Sequence, residues 1–231
     1  FYKLRYRSKQ GWKMIIVFVA NDFHADGGIS GFSIKDFAEK LSHKGHKIRI
    51  ITYGNDGDEL TGENNQNNIF EIFHVLKLRH PFAGLFCRKQ YTLSAINIDK
   101  ALSGADVVHI CQPSMLGKLV YKAAKQSGIP AVAGFYTQLE NMAPSIGPGW
   151  FIPTGHLLYF LWRWFFYRNF SHIHCLTKSV ASQLRVHGYK AWLHVISNEL
   201  DTLEQSTRRM GSMYSSLSEK RNKNKYAKGL L

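Results

Sequence analysis

Asp22 and His24 stand just before Gly27 and Gly28, in the stretch Lys13 to Ser33, KMIIVFVANDFHADGGISGFS. Asp22 offers a carboxylate that can take a proton from a hydroxyl nucleophile, and His24 can touch the same molecule. Gly27 and Gly28 let backbone approach a phosphate. The free N–H groups of a following helix, with its dipole, favour an anion there. Ser30 is placed to cap that helix. The spacing is not GxGxxG, so a tight turn explains the two glycines equally well. A turn or cap role is equally open for Asp22, and a plain loop role for His24. His109 lies near the end of a second apolar run, VVHIC, and faces the same predicted cleft. A hydrogen-bonded core histidine is its other reading.

These groups need a scaffold. Met14 to Ala20 is apolar without alternation, which predicts a strand buried on both faces, as in a parallel sheet. Phe32, Ile34, Phe37, Ala38 and Leu41 recur at helical spacing to His43, and Gly45 ends that helix. Further strands are predicted at 48–53, 69–76, 107–111, 129–135, 173–176 and 193–196. Helices are predicted at 85–102, 115–127 and 179–187. The alternation predicts an α/β fold: an open, doubly wound, mostly parallel Rossmann-like sheet, with ligands beyond the carboxyl ends of its strands. Those ends carry 21–28, 79–81, 109–113, 136–141 and 177–179. Three segments are expected: a basic extension over 1–13, the Rossmann-like domain over 14–200, and a polar basic tail over 201–231.

The chain has 231 residues and a net charge of +14. The two ends contribute +5 and +4 of this, leaving +5 for residues 14–200. A solvated excess at the ends argues against a nucleic-acid partner, while a body facing lipid or a nucleotide stays open. Cys87, Cys111 and Cys175 lack metal-ligand spacing and read as buried thiols of a reducing compartment. No metal is expected. His172 and His174 are read as structural, on opposite faces of their strand. Gly155 to Phe170, GHLLYFLWRWFFYRNF, is too short and charged to span a bilayer. It suits either a helix at a membrane surface or one packed on the sheet.

Several segments together carry a family resemblance. IIVFVANDFHADGGIS resembles the opening of the family-4 retaining glycosyltransferases, whose GT-B fold sets two Rossmann-like domains face to face. FAEKLSHKGHKIRIIT resembles their first helix and second strand. ADVVHICQPSMLGKLVYKAAKQSGIPAVAGFYTQLEN resembles their middle section, and FSHIHCLTKSVASQLRVHGYKAWLHVISN the end of their N-terminal domain. The likeness covers roughly Lys13 to Asn198. It implies transfer of a sugar from a nucleotide-sugar donor to a hydroxyl of a glycan or lipid acceptor, with no metal and no other cofactor. The N-terminal domain would hold the acceptor, and Gly27 and Gly28 would approach the donor. Glu140 and Asn141 become cleft candidates through the same likeness.

The sequence departs from the family pattern in three places. Tyr136 stands where the family usually has a His near the transferred sugar; it can donate a hydrogen bond but does not ionise as His does. Asn198-Glu199 replaces the closing Asn-Gly. The third is an expectation that the donor domain is missing. The expectation is an acceptor-side domain in a cytoplasmic setting, at the inner face of a membrane, with little activity unless a separate C-terminal half is supplied. The rival is a non-catalytic remnant or a peripheral membrane-binding module acting through 155–170. A nucleotide-cofactor dehydrogenase is disfavoured, since GxGxxG is missing and Thr52-Tyr53 stand where an acid would bind ribose.

Overall fold

The computed structural model describes residues 14–21, 34–54, 70–75, 88–136, 153–196 and 203–227. Among these, seven strands form one sheet: β1 (Ile15–Val19), β2 (Lys47–Tyr53), β3 (Glu71–Val75), β4 (Val107–Ile110), β5 (Ala131–Phe135), β6 (His172–Cys175) and β7 (Trp192–Val195). All adjacent pairs are parallel, in the order β3-β2-β1-β4-β5-β6-β7. The doubly wound α/β sheet expected from the sequence is therefore what forms. The chain order reverses between β1 and β4, so the carboxyl ends of those strands flank the crevice where such sheets take ligands.

Six α-helices cover the sheet: α1 (Ile34–His43), α2 (Arg88–Leu102), α3 (Met115–Gln126), α4 (Pro153–Phe165), α5 (Lys178–Val186) and α6 (Leu203–Ala227). Each strand feeds two layers because successive side chains point to opposite faces. Val17, Val19, Val108, Ile110, Ala133, Phe135, Ile173 and Cys175 pack with α2 to α5. Ile16, Phe18, Ile48, Ile50, Val107, Cys111 and Val132 pack with α1 and α6. Burial on both faces is why these strands read as continuous apolar runs.

Local chemistry fixes the helix ends. Ser114, in extended backbone, accepts the Gly117 N–H at 2.9 Å and starts α3. Thr177 does the same for α5 through Val180 at 3.2 Å. Gly128 closes α3 at φ +63°, a left-handed conformation that side chains resist.

The stretch after Leu200, expected to be a tail, is instead helical from Leu203 to Ala227. Met210, Met213, Tyr214 and Leu217 are buried, a one-sided i, i+3, i+4, i+7 stripe, with Ser206 and Thr207 buried beside it. Burying each large side chain contributes roughly 1.5–3 kcal/mol before entropy is counted. Polar contacts pin the helix along its length: Arg209 donates to the Val195 carbonyl at 2.9 Å and Arg221 to that of Ala105 at 2.7 Å. The stripe is easily missed because so much else in the helix is polar.

α4 packs on the sheet through one side and exposes the other. Tyr159 is buried, its ring parallel to that of Phe135 with centroids 5.9 Å apart. Leu157, Phe160, Trp164 and Phe165 are each at least half exposed.

Gly134 on β5 is required by close approach. A Cβ there would strike the Tyr136 ring, two residues on and on the same face. Gly134→Ala is expected to cost roughly 1–3 kcal/mol, as overpacking does. The cost should appear as a lower urea midpoint by circular dichroism. An unchanged midpoint would mean that Tyr136 moves aside freely.

Candidate active site

Of the catalytic and substrate-binding candidates named from the sequence, Asp22, His24, Gly27, Gly28, Glu140 and Asn141 lie outside the described residues. The two that are described, His109 and Tyr136, are brought together. His109 sits on β4, and Tyr136 directly follows β5. The Tyr136 hydroxyl lies 2.7 Å from His109 Nε2 and 3.0 Å from Nδ1 of His174 on β6. His109 Nδ1 meets the Tyr214 hydroxyl of α6. His174 Nε2 faces the Ile196 carbonyl at 2.9 Å.

One proton arrangement fits these contacts. A carbonyl only accepts, so His174 Nε2 carries a hydrogen, and its Nδ1 in the neutral ring accepts from the Tyr136 hydroxyl. The Tyr136 oxygen then accepts from His109 Nε2–H. That leaves His109 Nδ1 to accept from Tyr214. The tautomers are assigned from this bonding pattern.

The four groups stay neutral at physiological pH. Burial pushes His109 well below the usual histidine range, helped by the neighbouring His174. Burial also carries His174 down to about 4, against the Ile196 carbonyl, which favours the charged form. Burial holds the Tyr136 and Tyr214 phenols well above their ordinary value. His109, His174 and Tyr214 are fully enclosed, and Tyr136 is 6% exposed. In this conformation the chain of groups is a core network between sheet and α6.

His174 and Tyr214 were missed as partners of His109. Residues two apart in a strand share a face, so His172 and His174 point to the same side, not to opposite sides. His172 pairs with His194 of β7 at 3.0 Å on that side. Applied correctly, the alternation would have aimed His174 at the face that holds His109. Nothing in the sequence would have paired His109 with Tyr214, 105 positions away.

At the strand-order reversal, Ala20-Asn21 follow β1 and Cys111 to Ser114 follow β4. Thr52 Oγ1 donates to the Asn21 carbonyl at 3.4 Å. Asn21 Oδ1 is buried and has no hydrogen-bond partner among the described residues. An acceptor so placed, next to Asp22 in sequence, suits a donor hydroxyl or amide arriving from outside. Among the described residues no group of three His, Cys, Asp or Glu is arranged to hold a metal.

A seven-stranded parallel sheet with a crevice at its reversal defines a Rossmann-like class that matches one half of a GT-B glycosyltransferase. Residues 30–203 match the family described as Glycosyltransferase Family 4, and the chain belongs to that family. Two solved structures of sucrose-phosphate synthase from Thermosynechococcus elongatus are similar in fold, each with a TM-score of 0.55 and 13% identity. In one, the likeness covers 88% of this chain and 99% of the other. In the second it covers 80% of this chain and 48% of the other, so this chain spans about half of that enzyme. No functionally curated protein matches the sequence.

Proposed function

We propose that this chain is the acceptor-side domain of a nucleotide-sugar-dependent glycosyltransferase, which holds a glycan or lipid hydroxyl at the crevice between β1 and β4. The observation that carries the reading is the buried, unpartnered Asn21 Oδ1 at the strand-order reversal, within a chain of glycosyltransferase family 4. In this reading Asn21 and His24 orient the acceptor, and Asp22 takes the hydroxyl proton as the new bond forms. Gly27 and Gly28 approach the donor diphosphate, and Glu140 and Asn141 border the acceptor from the β5 side. Tyr136 and His109 are positioning residues that fix the end of β5 against β4. The main grip on the UDP- or GDP-sugar comes from a second, donor-binding domain, and no metal is required because N–H groups and Lys or Arg can neutralise the leaving diphosphate.

The test is calorimetry with UDP- and GDP-sugars, with sugar release followed in parallel. Amide shifts are recorded as simple glycans are added. We expect no turnover by this chain alone. The glycan-induced shifts should fall at Ala20, Asn21 and Cys111 to Ser114, and Asp22→Asn should weaken them. Turnover by the chain alone would overturn the dependence on a second half. Glycan-induced shifts confined to other strands would overturn the site. A second reading, a non-catalytic binding module, is favoured by one observation, the exposed aromatic face of α4.

A further inference from the structure

Leu157, Phe160 and Trp164 recur at three- and four-residue spacings and, with Phe165 next to Trp164, form an apolar ridge along the outside of α4. Such a ridge of large side chains facing water marks an interaction surface. Each aromatic on it is paired with a cation. The Arg163 guanidinium lies 5.8 Å from the Phe160 ring centre, that of Arg168 lies 4.4 Å from Trp164, and the Lys118 ammonium lies 5.4 Å from Phe165.

A pocket of about 480 Å³ opens where α4 ends, lined by Arg163, Arg168, Gly188, Lys190 and Trp192 among others. Trp192 is 71% exposed. Arg163 forms part of the wall: its guanidinium donates to the carbonyls of His187 and Gly188 at 2.9 and 3.1 Å. Arg168 and Lys190 bring two further positive charges to the same wall. From Val107 to Asn198 the sequence has eight Lys and Arg, and Glu140 is its one acid. Among the described residues from Val107 to Ile196 there is no acid.

We propose that the α4 ridge and this pocket dock on an anionic phospholipid bilayer, with Trp164, Phe160 and Trp192 at the headgroup level and a lipid phosphate against Arg168 and Lys190. Charge complementarity and the aromatic–cation pairing select this occupant. Trp and Arg together favour the interfacial zone, where an indole sits among headgroups and a guanidinium meets phosphate. No described helix is long and apolar enough to cross a membrane, so the contact is one of lying on the surface. Ser171 and Trp192 stand at the amino ends of β6 and β7. Docking there leaves the opposite rim, with the β1–β4 crevice, open.

The test is flotation of the full chain with vesicles of phosphatidylcholine alone, or of equal parts phosphatidylcholine and phosphatidylglycerol. The chain should float with the mixed vesicles only, and its tryptophan emission should shift to the blue. Arg168→Gln with Lys190→Gln should weaken binding about fivefold per charge, roughly the effect of one surface cation on an anionic leaflet. Trp164→Ser with Trp192→Ser should remove the blue shift, while circular dichroism confirms that each variant is folded. Failure to float, equal binding to both vesicles, or unchanged binding by the charge variants would overturn the proposal. So would binding to single-stranded polyuridine without binding to vesicles. No sugar is present in the assay, so a negative result leaves the transferase reading intact.

Discussion

Acidification from pH 6.5 toward 4 should strip stability from this chain steeply. Four histidines act in the same direction. Burial lowers His109 well below its ordinary value, and His172 and His174 to about 4. Burial also lowers His194. Neighbouring positive charge adds to the effect: His174 on His109, His194 on His172 and His174, and Lys220 on His172. Among the described residues, Phe18, Tyr136, His174 and Tyr214 face His109, and none of these can stabilise an added proton as a carboxylate would.

The sign follows from which state takes the proton first. The unfolded chain protonates these rings near 6.5; in the folded chain His172 and His174 resist until about 4, and burial holds His109 and His194 below their ordinary value as well. Stability is full above the unfolded value and is lost as pH falls through this window. His174 alone accounts for about 3 kcal/mol across it, at roughly 1.4 kcal/mol per unit. That is a large part of the 5–15 kcal/mol typical of a domain. Thermal melts at pH 7, 5.5 and 4.5 provide the check, and His174→Gln should flatten the profile. A melting temperature unchanged between pH 7 and 4.5 would refute the neutral network.

Shortening Tyr214 should show how much α6 matters. Its ring is fully buried, edge-on to Phe18 and His109 with centroids 6.5 and 5.8 Å away. Tyr214→Phe removes the donor to His109 Nδ1 and keeps the packing, for an expected loss of about 1–3 kcal/mol. Tyr214→Ala removes the ring as well, for about 3–5 kcal/mol in total cavity and transfer terms. The second variant should also expose α6 to limited proteolysis, while the first should not. Urea unfolding followed by tryptophan emission measures both losses. Equal, negligible losses would mean that the helix does not close this face of the sheet.

The strands were legible because a buried parallel strand has no polar alternation, and Ile15–Val19 and Val107–Ile110 have none. Two helices over the first face were placed in the sequence at 115–127 and 179–187 without their caps, Ser114 and Thr177, which the structure shows. α6 was harder to read because its stripe is four residues long within a chain segment rich in Ser, Asn, Lys and Arg. Periodicity, not composition, carried its signal. The site was legible only in pieces. Position along the chain placed His109 and Tyr136 near strand ends. Their mutual contact, and that with His174, depends on register across β4, β5 and β6. Tyr214 depends on tertiary packing that no local pattern encodes.

The closure of the second core layer by α6 also orders events in time. β1 lies inside the sheet, between β2 and β4, and Ser215 of α6 reaches back to Met14 just before it, 201 positions away. Contacts of such long sequence separation form late, because a large loop must first be closed. A ribosome emits Phe18, Ile50 and Val132 well before it emits Met210 to Leu217. Throughout that interval one side of the nascent sheet presents bare apolar surface, the condition in which chains associate wrongly. Recovery of this protein from cells should therefore depend on how quickly α6 is delivered, as well as on how tightly the packed sheet holds together.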